Sequence, residues 1–227
     1  MARGQDHSDN VGANDSLAPE SPVVPNHHAH YPPFRGVSGF VAAASMAFMR
    51  GASTDLAIEL SALAATDRAV DLGCGPGAPT RALAKRVAHV TAIDPAQVML
   101  AVARLIPASS NIDWTLGTAA SIPLDTETID IVWALASVHH WANIENSIAE
   151  VFRVLRPGGR FVAIERQTQD GASGHASHGW TTAQGELFAR MCRDAGFEAS
   201  SATQHQNAQG THVAVVSEKA TGSHACA

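Results

Sequence analysis

The chain has 227 residues, 45% of them hydrophobic, and 21 acidic against 15 basic side chains give it a formal net charge of −6. This length and apolar fraction suit one medium domain with extra segments. The few basic residues are scattered, which excludes the basic stripe that binds a nucleic-acid backbone. Cys74, Cys192 and Cys226 lie far apart without metal-type spacing, which argues against a disulfide framework or zinc knuckle and favours a reducing cytoplasm.

The two ends of the chain are predicted to lie outside the main domain. Residues 1–25 are rich in Asp, Asn, Ser, Gly and Pro, so we expect a disordered tail, and we expect a second flexible tail at 219–227. The start of the chain has no signal-peptide core, and its longest apolar run is too short for a membrane span, so we expect neither export nor membrane insertion. Residues 26–66 predict an N-terminal lid with helices at 39–50 and 53–63.

Residues 67–218 alternate short apolar runs with helical patterns, which predicts one α/β domain. This alternation is typical of a doubly wound, Rossmann-like sheet. Two later extended runs predict an antiparallel hairpin at the sheet edge, which makes a mostly parallel sheet of seven strands. The predicted strands are 68–72, 90–93, 112–116, 129–134, 161–164, 197–204 and 211–217, and the helices are 80–88, 96–105, 143–155 and 181–195.

A glycine-rich motif follows the first predicted strand. Residues 70–77 read Val-Asp-Leu-Gly-Cys-Gly-Pro-Gly, so the glycines have the pattern Gly-x-Gly-x-Gly. Glycines at such a turn let a ligand approach the bare backbone. The last gap is one residue shorter than in the dinucleotide fingerprint Gly-x-Gly-x-x-Gly. Asp94 ends the second predicted strand, where a carboxylate can accept both hydroxyls of a ribose.

With residues 92–95, Ala-Ile-Asp-Pro, this motif resembles the class I S-adenosylmethionine (SAM) dependent methyltransferases, in particular the methyltransferase type 11 group. Three further segments match in order: the adenine loop at 117–124, the fourth strand at 129–134, and the turn before the fifth strand at 154–161. The resemblance implies methyl transfer from SAM to an O, N or C atom of a small-molecule acceptor, with S-adenosylhomocysteine as the product.

The resemblance also implies a cofactor site. The glycine backbone would pass beside the methionine part of SAM, Asp94 would hold the ribose, and Ala134 would lie under the sulfonium. Thr118 and Ala119 would flank the adenine, although the family usually has an acidic residue where Thr118 stands. Tyr31 and Arg35 are lid contacts by the same analogy. The implied cofactor residues are Asp71, Gly73, Cys74, Gly75, Gly77, Asp94, Pro95, Thr118, Ala119, Ala134 and Tyr31.

His139 and His140 are the candidate catalytic residues. They directly follow the fourth strand, where open α/β sheets build their sites, and histidine titrates near neutral pH. Either could remove a proton from the acceptor, or could cap a helix or pack against Trp141 instead. His175, His178 and Trp180 belong to the Gly/Ser-rich insert after the fifth strand, around 168–179. They either shape the acceptor site or belong to a mobile loop.

No metal site is predicted. His27, His28 and His30 are close in sequence, but they lack an acidic or cysteine partner and fit a solvated loop equally well. Cys74 between the motif glycines is interpreted as a small packing residue rather than a reactive thiol.

Two other functions stay open. One is a non-catalytic SAM-binding regulatory protein, and the other is an NAD(P)-dependent oxidoreductase, which the glycine spacing disfavours. The segment after the fourth strand, residues 134–137, contains neither an Asn/Asp-Pro-Pro-Tyr type motif nor a Pro-Cys nucleophile. This disfavours methylation of DNA adenine, protein glutamine or cytosine carbon. We expect a monomer or a homodimer.

Overall fold

The computed structural model describes residues 51–172 and 174–222, without the side chains of Gly174 and His175. Predictions for the N-terminal tail, the helix at 39–50, the histidines at 27–30 and the lid contacts Tyr31 and Arg35 lie outside the described residues. Within these two ranges, no helix has the length and apolar character needed to cross a membrane.

Helices and strands alternate along the described chain. The helices are α1 (Ala52–Ser61), α2 (Ala78–Ala84), α3 (Gln97–Leu105), α4 (Ile144–Val154) and α5 (Thr182–Asp194), with short 3-10 helices at Val138–His140 and Gly174–Ser177. The strands are β1 (Arg68–Leu72), β2 (His89–Asp94), β3 (Ile112–Leu116), β4 (Ile129–Leu135), β5 (Leu155–Arg166), β6 (Ala199–Asn207) and β7 (Gly210–Glu218).

The strands form one seven-stranded sheet in the order β3-β2-β1-β4-β5-β7-β6. Strands β1 to β5 are parallel, whereas β7 runs antiparallel to both β5 and β6. The predicted α/β class and the antiparallel edge hairpin are therefore confirmed. The chain reverses its direction of winding between β1 and β4, and the carboxyl ends of those strands form the crevice where such sheets bind ligands.

The core lies on both faces of the sheet because successive side chains of a strand point to opposite faces. On β4, Val132 and Ala134 pack on one face with residues of α4 and α5. Trp133 and Leu135 pack on the other face with residues of α1, α2 and α3. Every residue of β4 is buried, so the strand that leads into the predicted acceptor site has a fixed position.

Helix α1 is part of the layer that covers the sheet. Leu56 and Ala57 belong to the core cluster on that face. Ser61, at the end of α1, accepts a hydrogen bond from Nε1 of the buried Trp133 at 2.7 Å, and its carbonyl accepts one from Arg160 at 3.0 Å. The described part of the segment 26–66 is thus packed onto the main domain.

Several element boundaries differ from the predicted ones. Helix α2 ends at Ala84 rather than near residue 88, and the amide of Ala88 instead donates to the carbonyl of Asp67 at 2.9 Å. Strand β5 begins at Leu155, well before the predicted start at 161, because the turn containing Gly158 continues the strand pairing after a register shift. Helix α5 begins as predicted, with a capping box formed by Thr181 and Gln184.

Candidate active site

The glycine motif forms the turn between β1 and α2 and lies against the ends of neighbouring strands. The amides of Gly73 and Cys74 donate to the carbonyl of Ile93, at 2.8 and 3.1 Å. Gly73 has φ +73°, and a Cβ there would lie 2.5 Å from Cβ of Ser137. Gly77 has φ +83°, and a Cβ there would lie 2.2 Å from the Trp114 ring. Both positions therefore require glycine, for backbone conformation and for close packing.

Asp94 anchors this turn. Its two carboxylate oxygens accept hydrogen bonds from the amides of Gly75 and Ala96, both at 2.8 Å. Burial raises the pKa of Asp94, and these two backbone donors partly offset the increase. A carboxylate has about four lone-pair positions, so each oxygen can accept one further hydrogen bond from a ligand.

Asp71 is enclosed beneath the same turn. The hydroxyl of Thr80, on α2, donates to it at 2.6 Å, and only 1% of the residue is exposed. Burial raises the pKa of Asp71 to about 6. Burial and the nearby carboxylates of Asp71 and Asp94 also raise the pKa of the Cys74 thiol well above its ordinary value. A buried thiol with a raised pKa fits the predicted role of Cys74 as a packing residue.

The predicted adenine loop follows β3, beside the end of β2. The amide of Gly117 donates to the carbonyl of Asp94 at 3.3 Å, which ties the loop to the predicted ribose residue. Thr118 is exposed, pairs with Ser121 in an isolated bridge, and is followed by the half-buried Ala119. Pro95 is exposed next to Asp94. The predicted ribose and adenine residues thus border one edge of the sheet.

The end of β4 leads into the histidines. Ala134 is fully buried within the strand, two residues before Ala136, which has φ +50°. Ser137 then donates its hydroxyl to the carbonyl of Leu72 at 2.8 Å, which joins this turn to the glycine motif. The 3-10 helix that follows carries both His139 and His140.

A buried glutamate, not singled out from the sequence, positions His139. Glu165 lies near the end of β5 with 1% of its surface exposed. Its Oε2 lies 2.8 Å from Nδ1 of His139, and its Oε1 accepts from the amides of Val138 and His139 at 2.9 and 3.4 Å. Because an ionised carboxylate only accepts, Nδ1 donates and the lone pair of the neutral ring falls on Nε2. Glu165 directly follows the predicted strand 161–164, and nothing in that position along the chain indicates this role.

The insert after β5 brings a third histidine to this place. The His139 and His140 ring centroids are 4.1 Å apart, and those of His139 and His178 are 5.3 Å apart. The insert is tied to β5, because the amide of Trp180 donates to the carbonyl of Arg166 at 2.9 Å. Trp180 itself is fully buried and packs against Phe188, so it belongs to the core and not to a mobile loop.

Comparison with known proteins assigns the central part of the chain. A family model described as a methyltransferase domain matches residues 70–163. This region includes the glycine motif, Asp94 and both catalytic candidates. Over residues 70–163, less than half of the chain, the sequence is therefore similar to the methyltransferase domain family.

Relatives of this methyltransferase domain carry methyltransferase names. An uncharacterized methyltransferase of Mycobacterium tuberculosis is 40% identical over 128 residues, which are 56% of this chain and 49% of that protein. The ubiquinone/menaquinone biosynthesis C-methyltransferase UbiE of Rubrivivax gelatinosus is 31% identical over 111 residues, 49% of this chain and 44% of that protein. The chain thus spans about half the length of the curated relatives it matches.

The fold of the methyltransferase domain is also found in solved structures. A chain in the complex between the Haloferax volcanii Trm112 methyltransferase activator and a methyltransferase has a TM-score of 0.67 and is 19% identical. The match covers 80% of this chain and 97% of that one. At this identity the likeness shows the fold alone.

The residues around the glycine turn fit a cofactor that carries a ribose. A Cβ at Gly75 would meet no heavy atom within 4 Å, so there is open space above the middle of the glycine turn. Asp94 lies directly below, with its amide partner in the same turn. A bare backbone beside a carboxylate with spare lone pairs suits a ligand that presents ribose hydroxyls.

Proposed function

We propose that the protein transfers a methyl group from SAM to an O, N or C atom of a small-molecule acceptor. The carrying observation is the junction of the glycine turn with Asp94, inside a region that matches the methyltransferase domain family. When bound, SAM supplies an electrophilic methyl group on a positively charged sulfur. The residues then contribute mainly by holding donor and acceptor at reacting distance, which can supply several kcal/mol.

In this proposal the predicted cofactor residues have distinct roles. The backbone from Gly73 to Gly77 lies beside the methionine part of the cofactor. Asp94 accepts the ribose hydroxyls through the lone pairs that its two backbone donors leave available. Thr118 and Ala119 border the adenine. Asp71, enclosed below the turn, supports α2 through Thr80.

Residues after β4 serve the acceptor. For a protic acceptor, we propose that His139 or His140 takes the proton, since only such an acceptor needs a base. His139 is supported by its fixed orientation, because Glu165 accepts from Nδ1 and directs the lone pair to Nε2. His140 is supported by its exposure to solvent.

A small acceptor is supported by two observations. The residues directly after β4 are Ala136 and Ser137. They include neither the motif typical of enzymes that methylate the amino group of DNA adenine nor the motif typical of enzymes that methylate cytosine carbon. The UbiE relative is named for a reaction in quinone biosynthesis, a small-molecule process.

Calorimetric titration with SAM, S-adenosylhomocysteine and NADH tests the cofactor. We expect micromolar binding of the two sulfur ligands and none of NADH. Asp94→Asn keeps an oxygen acceptor for one backbone donor but loses the charge, and it should weaken SAM binding at least about tenfold. Asp113→Asn is the matched control, because Asp113 is an exposed carboxylate on the adjacent β3. Binding of NADH alone, or SAM binding unaffected by Asp94→Asn, would contradict the proposal.

Turnover is tested by transfer of a radiolabelled methyl group from SAM to a panel of hydroxyl, amine and carbon acceptors. We expect a labelled product from at least one class. If a protic acceptor is found, His139→Ala or His140→Ala should lower kcat by about 100-fold or more, the usual contribution of a general base. Tight SAM binding without any transfer would instead support the non-catalytic SAM-binding alternative.

A further inference from the structure

Three imidazole rings converge at the carboxyl end of β4 and β5. They belong to His139, which is buried, to His140, which is exposed, and to the half-buried His178. One ring nitrogen from each histidine lies within 4.8 Å of the corresponding nitrogens of the other two. The third pair of rings, His140 and His178, has its centroids 5.9 Å apart at an interplanar angle of 77°. The rings therefore converge without forming a parallel stack.

Two separate devices hold these rings together. The carboxylate of Glu165 accepts hydrogen bonds from Nδ1 and from the backbone amide of His139, so this ring cannot turn freely. The backbone around His178 is tied to the end of β5, because Arg166 donates to the carbonyls of Ala176 and His178 at 3.3 and 3.4 Å. The cluster thus combines a buried histidine held by Glu165, an exposed histidine on the same 3-10 helix, and a half-buried histidine on the insert after β5.

We propose that His139, His140 and His178 bind a divalent transition-metal ion such as Zn²⁺. Three neutral imidazoles are a common ligand set for such an ion, with metal–nitrogen distances of about 2.0–2.1 Å. Tetrahedral geometry then needs nitrogen atoms about 3.4 Å apart, so the rings must close slightly from their present spacing. His140 and His178 lie nearer the surface and can make that movement.

The second partner of His139 strengthens the assignment. Ligating histidines usually donate their other ring N–H to a carboxylate or carbonyl, which fixes the tautomer and raises the basicity of the ligand. Glu165 provides such a carboxylate, 2.8 Å from Nδ1 of a ring whose Nε2 carries the lone pair.

Three protein ligands leave a fourth position for an oxygen atom, as in catalytic zinc sites. At the end of β4 this position would take a hydroxyl or carbonyl oxygen of the acceptor, a point that rests on the proposed function. Ligation through Nε2 and removal of a proton by the same atom exclude each other. With an ion bound, His139 and His140 would both be ligands and neither would act as the base, and the ion would favour the deprotonated form of a bound hydroxyl.

The test is calorimetric titration of Zn²⁺ into the EDTA-treated full chain, followed by the visible absorption of bound Co²⁺. We expect one ion per chain and the absorption of a four-coordinate site. His178→Ala and His140→Ala should each weaken binding at least about 100-fold, and Glu165→Gln about 10- to 100-fold. His89→Ala, at the amino end of β2 and thus at the opposite end of the parallel strands, should bind as tightly as the wild type. The His140 and His178 variants avoid the risk that replacing the buried His139 prevents folding.

Two results would overturn the proposal. The first is that the wild-type protein does not bind Zn²⁺. The second is that Zn²⁺ binding survives in the cluster variants but disappears in a triple His27→Ala, His28→Ala, His30→Ala variant. SAM titration of the same EDTA-treated protein separates the two proposals. SAM binding without Zn²⁺ binding removes only the metal site, whereas Zn²⁺ binding without SAM binding removes only the proposed cofactor function.

Discussion

Replacing the enclosed carboxyl group of Asp71 should stabilise the protein above neutral pH. Burial raises the pKa of Asp71 from its ordinary value of 3.8 to about 6, although the Thr80 hydroxyl donates to it and lowers the pKa in part. The unfolded chain restores the ordinary pKa, so the folded state binds more protons in this range. The protonated Asp71 therefore contributes to the free energy of unfolding at low pH. This contribution is lost as pH rises from about 4 to about 6, and it stays lost above that range.

The size of the effect follows from these two pKa values. The gap between 3.8 and about 6 corresponds to roughly 3 kcal/mol of unfolding free energy, at about 1.36 kcal/mol for each pH unit. From proton linkage, about 1.4 kcal/mol of this unfolding free energy is lost between about pH 5 and about pH 7.5. Asp71→Asn keeps an oxygen that accepts from Thr80 and carries no charge, so this pH-dependent loss should disappear.

Urea unfolding followed by tryptophan fluorescence at the two pH values measures the difference. We expect Asp71→Asn to gain stability relative to the wild type by about 1.4 kcal/mol between the lower and the higher pH. Asp170→Asn, in an exposed loop, is the matched control and should follow the wild type at both values. The reasoning is refuted if the free-energy difference between Asp71→Asn and the wild type is the same at both pH values.

Further predictions concern the glycine turn. Gly77→Ala should lower the free energy of unfolding by about 2–4 kcal/mol, measured by urea titration, because positive φ and overpacking against Trp114 act together. Gly75→Ala should lower the free energy of unfolding by only about 1–2 kcal/mol. The same variant should abolish SAM binding in calorimetry, since its Cβ would enter open space beside Asp94. Gly171→Ala, an exposed control with φ +78°, should bind SAM normally. Cys74 should stay unlabelled by iodoacetamide at about pH 8 until urea is added, because burial raises the pKa of its thiol; peptide mass mapping measures this, and rapid labelling of the folded protein would contradict it.

Local patterns were enough to predict the α/β architecture. The glycine turn after the first strand follows from short-range chemistry, because a tight turn near a ligand needs glycine. The apolar runs in β1, β2, β4 and β5 do so as well, because strands buried on both faces are mostly apolar. The same is true of Asp94, because a carboxylate that ends the second strand necessarily lies at the carboxyl edge of the parallel sheet. Boundaries were less accurate around residues 85–88 and 155–160, where long-range pairing decides whether the chain turns or extends.

Sequence patterns alone predicted the class of fold and the edge of the sheet where the proposed cofactor residues meet. The hydrogen bond between Nδ1 of His139 and Glu165, and the proximity of His178 to His139 and His140, became visible only in the tertiary structure. These partners come from β4, from β5 and from the insert after β5. Their proximity depends on how parallel strands pair and how the insert folds back onto β5, so spacing along the chain carries no signal for it. A histidine next to another histidine is visible in a sequence, whereas the carboxylate that orients it is visible only in three dimensions.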